Sequence, residues 1–138
     1  MKYLLVCLLI AGPANAKNFC TRAPAVDPEL PAGLVGSYEL VGKGPITGTA
    51  YSGTLAIAIG KTSYALTRKE GHVVVGGEAW IERCGADSIV VLAARYATKP
   101  EPTDLRCALG TDGDNYFRVT CQTRLGDRYG LEAWFQQH

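Results

Sequence analysis

From Gly33 onward the chain is a succession of short runs in which apolar and polar residues alternate, broken by glycine and polar clusters. A period of two belongs to half-buried β-strands, and no stretch shows the 3.6-residue recurrence of an amphipathic helix. Eight runs read as strands: residues 37–41, 51–59, 62–68, 72–83, 88–96, 104–110, 116–122 and 129–136. The second is the cleanest, with Tyr51, Gly53, Leu55, Ile57 and Ile59 on one side and Ser52, Thr54, Ala56 and Ala58 on the other. Most links between runs are tight, and only 97–103 and 123–128 are longer, which favours an antiparallel meander. Closing that meander removes the exposed edges that recruit other chains. The expected fold is therefore all-β, an eight-stranded antiparallel up-and-down barrel, with a two-sheet β-sandwich as the alternative.

The segment ahead of these runs is of a different kind. Met1-Lys2 is a short positive start, residues 3–11 are apolar, and Ala14-Asn15-Ala16 is a small-x-small cleavage site, the layout of a secretory signal. The apolar run is too short to span a bilayer, which takes about 20 residues. The domain organisation read from the sequence is a signal peptide at 1–16, an extended arm at 17–32 carrying Pro24, Pro28 and Pro31, and one β-barrel domain at 33–138. The 138 residues carry 14 Lys+Arg against 13 Asp+Glu, and cleavage after Ala16 removes Lys2 and balances the two. A neutral mature chain argues against a nucleic-acid binder and against electrostatic docking to a membrane. The expected location is the periplasm or the secreted space.

Of five cysteines, Cys7 leaves with the leader, and Cys20, Cys84, Cys107 and Cys121 remain. An even number in an exported chain reads as two disulfide bonds. Lys17-Asn18-Phe19 ahead of Cys20 lacks the small residues of a lipid-attachment signal. A zinc site is disfavoured because no two cysteines are two to four residues apart and the chain has only two histidines. Leu105, Cys107 and Leu109 share a face, as do Phe117, Val119 and Cys121. A turn at Gly113-Asp114-Asn115 then sets Cys107 opposite Cys121 at a bridgeable separation. Cys84 is expected at the opposite end of the barrel, where Cys20 reaches it and pins the arm across that end.

Little in the chain points to catalysis. His72 stands at a strand start and His138 is the last residue; Ser52 and Ser88 lack the surroundings of a nucleophile elbow. Glu78 and Glu82 share one face of a strand, the pattern of a wet outer surface. The Gly42–Gly48 stretch has no following helix to bind phosphate, and residues 112–123 lack the glycine and the terminal acid of a calcium loop. No metal and no cofactor is implied. Aromatic residues carry the functional signal. Tyr38, Tyr51, Tyr64 and Phe117 on inward faces are candidate ligand-lining residues, the tyrosines offering hydroxyls, although eight-stranded barrels are also filled by such side chains. Trp80 and Trp134, if they face outward, are candidate protein contacts.

Gly36-Ser37-Tyr38 opening the first run, followed by seven more antiparallel runs, resembles the calycin barrels, which include lipocalins and avidins. The strings Gly36-x-Tyr38, Tyr51-x-Gly53-x-Leu55-x-Ile57 and Gly60-x-x-x-Tyr64-x-Leu66 are similar to those of small exported bacterial β-barrel proteins of unassigned activity. The resemblance implies that Tyr38 stands where lipocalins usually carry Trp, closing the barrel floor under a basic residue, here Arg124 or Arg128. The sequence thus leads to an exported, non-enzymatic binding protein contacting a protein partner of inhibitor or accessory type. The alternatives are a calycin-like carrier of a small apolar ligand and an enzyme using the barrel mouth.

Overall fold

The computed structural model describes residues 19–23, 33–111, 113 and 116–138. The predicted signal peptide, most of the proline-bearing arm, and Asp112, Asp114 and Asn115 of the hairpin turn lie outside the described residues. Among the described residues nine strands appear in chain order: β1 (Cys20–Arg22), β2 (Gly36–Lys43), β3 (Ala50–Ile59), β4 (Tyr64–Glu70), β5 (Val73–Cys84), β6 (Ile89–Tyr96), β7 (Thr103–Thr111), β8 (Phe117–Leu125) and β9 (Arg128–Gln136). Strands β2 to β9 follow one another around the wall, every pairing antiparallel, and the ring closes where β2 pairs with β9. The closed barrel is the expected fold, and the sandwich alternative falls.

The period-two pattern becomes an inside and an outside. Tyr38 and Leu40, Leu55 and Ile57, Tyr64 and Leu66, Ala79 and Ile81, Leu92 and Ala94, and Val119 are all buried in one core. Each leucine or isoleucine so buried contributes about 1.5–3 kcal/mol relative to exposure, which is the main force closing the wall. One expected link is in fact strand: β8 runs on to Leu125, which pairs with Arg128 across the two-residue turn Gly126-Asp127. Gly126 has φ +61°, a left-handed conformation that the short turn requires and glycine adopts without strain. Thr123 is thereby drawn into the wall, with its side chain inside.

Both disulfides form as expected, Cys20–Cys84 and Cys107–Cys121. They are separated by face more than by end. Cys107 and Cys121 are inward and buried in the middle of β7 and β8, whereas Cys84 shares the outward parity of Trp80 and Glu82. Whether the arm crosses the barrel end falls on residues 24–32, which lie outside the described residues. Its β1 segment lies antiparallel beside β5, pairing Cys20 with Cys84 and Arg22 with Glu82, just beyond Ala79 where β4 stops. Two disulfides of this kind suit an oxidising, extracytoplasmic setting. No helix among the described residues is long and apolar enough to cross a membrane.

The two ends of the barrel differ. At the end where β2 begins, Leu34 is buried as a plug, and its carbonyl accepts a hydrogen bond from the Tyr38 hydroxyl. Gln136 ties this closure to the wall: its Nε2 donates to the Gly33 carbonyl at 2.6 Å and its Oε1 accepts from the Phe117 amide at 2.9 Å. Tyr38 meets Trp134 edge to face, centroids 6.5 Å apart. The opposite end is flanked by the loops 44–49 and 97–102 and opens into a pocket.

Candidate functional site: the open barrel mouth

At the mouth end, the inward positions of the strands switch from bulky apolar residues to glycine and polar groups. Gly42, Gly53, Gly77 and Gly130 take inward places on β2, β3, β5 and β9. Small residues there leave room that leucine and isoleucine occupy lower down. A pocket of about 420 Å³ results, with Tyr51, Arg68, Tyr96, Thr123 and Glu132 at its base and Pro45, Ile46 and Leu125 among its walls.

The base is one connected polar cluster. Glu132, 3% exposed, accepts hydrogen bonds at Oε1 from the Tyr96 hydroxyl and from Trp134 Nε1 (2.7 Å), and at Oε2 from the Tyr51 hydroxyl (2.6 Å). Arg68 Nε lies 3.6 Å from the same Oε2, and Arg68 Nη2 pairs with Glu70 at 2.9 Å. The guanidinium also stands over the Tyr51 and Tyr96 rings, 4.9 and 5.2 Å from their centroids. Two strands carry the central charges: Arg68 continues the inward parity of Tyr64 and Leu66 on β4, and Glu132 sits between Gly130 and Trp134 on β9.

Electrostatics fix the roles. Burial and then the neighbouring Glu132 carboxylate hold both the Tyr51 and Tyr96 hydroxyls well above the usual phenol range, with Arg68 opposing. Both phenols therefore stay protonated and donate. Burial alone would lower the Arg68 guanidinium, but Glu132, Tyr96, Tyr51 and Glu70 outweigh it and keep it above its ordinary value. Buried charges are tolerated when paired and hydrogen-bonded, and this carboxylate is. Among the described residues, two buried atoms facing this region lack a hydrogen-bond partner: Arg68 Nε and Thr123 Oγ1. The rim is rich in hydroxyls, where Thr98 Oγ1 and Thr103 Oγ1 lie 2.8 Å apart and Thr98 Oγ1 donates to the Glu101 carbonyl.

The residues singled out from the sequence distribute unevenly. Tyr51 lines the pocket. Tyr38 and Tyr64 are buried in the core, and Phe117 is half-buried at the closed end beside Gln136. An outward Trp134 does not hold: it is fully buried, because it shares the inward parity of Gly130 and Glu132. Trp80 does face outward, half-buried, with Arg22 stacked 4.6 Å over its ring and its Nε1 donating to Glu82. Neither Arg124 nor Arg128 lies beneath Tyr38. Both are exposed near the mouth end, and Arg128 donates to the Ile46 carbonyl at 3.3 Å. His72 sits in the exposed β4–β5 turn at the mouth end, while Ser88 is in a turn at the closed end, so the two do not meet.

Sequence reasoning misses Arg68, Thr123 and Glu132, and it counts Tyr96 among the strand aromatics without making it one of the four lining candidates. The signal for Arg68 was its parity with Tyr64 and Leu66. For Glu132 it was a charge placed between Gly130 and Trp134. Cys20, Glu82 and Cys84 cluster closely enough to suggest a metal, but the two cysteines are bonded to each other and offer no thiolate pair. No protein-family model, curated protein or solved structure matches this chain.

Proposed function

We infer that the protein is an exported, non-enzymatic binding protein that takes a small molecule into the barrel mouth, in the manner of a calycin-like carrier. Its leader is cleaved after Ala16 and it works in the periplasm or beyond the cell. The observation that carries this reading is the pocket of about 420 Å³ above the Arg68–Glu132–Tyr51–Tyr96 cluster. Small-molecule sites have this size and this make-up, apolar walls with a few fixed polar groups. The ligand is not wholly apolar: an apolar body rests against Pro45, Ile46 and Leu125, and a polar end with an acceptor meets the cluster and the Thr123 hydroxyl. The cluster is held rigid by its own bonds, so little ordering cost falls on binding.

The test is native mass spectrometry of protein purified from its own host, compared with a Thr103→Trp variant that fills the rim. A small molecule retained by the wild type and lost from the variant supports the reading. A bare wild-type chain in repeated purifications speaks against it.

A second reading, a protein partner of inhibitor or accessory type, is favoured by the outer face of β9 and β2. Tyr129 (57% exposed), Leu131 (63%) and Val41 (45%) present apolar surface there. Capture of one defined envelope protein by the wild type, lost on Leu131→Asp, supports it.

A further inference from the structure

We propose that the Cys20–Cys84 bridge is a thiol-exchange site, built to be opened by a small thiol or by the dithiol of an oxidoreductase, while Cys107–Cys121 is purely structural. The two bridges sit in opposite surroundings. Cys107 and Cys121 are inside the barrel, 2% exposed each. Cys20 and Cys84 are half-buried on the outer wall and line an open groove of about 940 Å³ with Phe19, Gly85, Ala86 and Val91.

A cation is aimed at both outer sulfurs. Arg106 Nη2 lies 3.2 Å from Cys20 Sγ and 3.4 Å from Cys84 Sγ, and Glu82 Oε2 holds the same nitrogen at 2.9 Å. Exchange proceeds through a departing thiolate, and a neighbouring guanidinium stabilises that charge, making the sulfur a faster leaving group. An incoming thiolate attacks Cys84 Sγ. A new S–S bond forms as the Cys20–Cys84 bond breaks, and the electron pair leaves on Cys20 Sγ, the sulfur nearer Arg106. A second thiolate attacks the mixed disulfide and releases the Cys84 thiolate. In sum, two external thiols are oxidised to their disulfide, the bridge is reduced, and the two thiol protons end on Cys20 and Cys84.

Opening has a structural consequence. The ladder between β1 and β5 is three residue pairs long, too short to persist without its covalent tie. Release of β1 withdraws Arg22 from the Trp80 ring and uncovers the outer edge of β5 at Glu82 and Cys84. The barrel ring from β2 to β9 keeps all its pairings.

The experiment is stepwise reduction of the folded mature chain with dithiothreitol, followed by alkylation, digestion and mass spectrometry. Cys20 and Cys84 label together at reductant concentrations that leave Cys107 joined to Cys121. Exchange in Arg106→Gln is slower by about threefold or more, Arg106→Lys stays near the wild-type rate, and Glu82→Gln is faster because the guanidinium loses its counter-charge. A merely structural role would not move the Arg106 and Glu82 variants in opposite directions. Simultaneous reduction of the two bridges, or an unchanged rate in Arg106→Gln, overturns the proposal. Should Arg106→Gln fail to fold, the Glu82→Gln rate decides alone, and no acceleration there overturns it.

Discussion

Tyr51 on β3 reaches Glu132 on β9 across an intervening strand, its hydroxyl 2.6 Å from the carboxylate, and the β2 residue paired with both is Gly42. The contact exists because Gly42 has no side chain. A Cβ there would stand 2.4 Å from Tyr51 Cζ, 2.5 Å from its hydroxyl and 2.8 Å from the Leu131 carbonyl oxygen. Gly42→Ala is expected to push the ring off Glu132 and to cost about 1–3 kcal/mol, as overpacking in a fixed wall does. Urea denaturation measures the loss. An unchanged midpoint shows that the ring finds its bond another way.

The Arg68–Glu132 pair is expected to be strongly coupled. Glu132→Ala leaves the Tyr51 and Tyr96 hydroxyls and Trp134 Nε1 without their acceptor and the Arg68 guanidinium with Glu70 alone, and breaking a buried pair from one side costs about 3–5 kcal/mol. Arg68→Met leaves the carboxylate all three of its hydrogen-bond donors and costs less. In the double variant neither charge is left alone. The double-mutant cycle should therefore give a coupling of about 1–3 kcal/mol. Strict additivity would show that the 3.6 Å separation carries no interaction.

Why this cluster was harder to read than the wall around it has a physical basis. Alternation in 51–59 separates cleanly, so the strand and its two faces follow from the sequence. The hairpin parity that set Cys107 against Cys121 follows in the same way. In β9, both faces carry bulky apolar residues, Leu131 and Phe135 on one and Trp134 on the other, so pattern alone does not say which is inside. Trp134 and Glu132 therefore escaped. A charge in a strand is normally outside, as Glu78 is. Only the space left by Gly42 and Gly130, together with hydrogen-bond donors from two other strands and a cation from a third, makes an inside carboxylate affordable. Those groups come from β3, β4 and β6, far apart in sequence, so no local signal announces them.

Stability should fall on the alkaline side in a way that reports the buried phenols. Tyr38, Tyr51 and Tyr96 have their hydroxyls pushed above the usual value of 10.0, by burial in all three and by Glu132 in the latter two. In the unfolded chain these groups lose protons near pH 10, while the folded chain retains them. The unfolded state then binds fewer protons, so the stabilisation present below pH 10 is lost progressively as pH rises further. Absorbance titration of the folded protein should show the Tyr38, Tyr51 and Tyr96 hydroxyls ionising only with unfolding. Titration of these three near pH 10 in the native fold would contradict the burial of the cluster.

Removing the two bridges should rank them against their loop lengths. They close separations of 64 and 14 residues, and loop entropy alone assigns about 4 kcal/mol to the first and about 3 kcal/mol to the second. That reasoning counts only the unfolded chain. When Cys20–Cys84 is removed, the arm also detaches in the folded state and regains its freedom there, which offsets much of the loss. Cys107–Cys121 joins two strands that remain paired along their length, so no such relief is available, and its sulfurs also fill core volume. The Cys107→Ala/Cys121→Ala variant should therefore lose about 3 kcal/mol or more in denaturant unfolding, and Cys20→Ala/Cys84→Ala distinctly less. The opposite ranking would mean that β1 stays docked on β5 without its covalent tie.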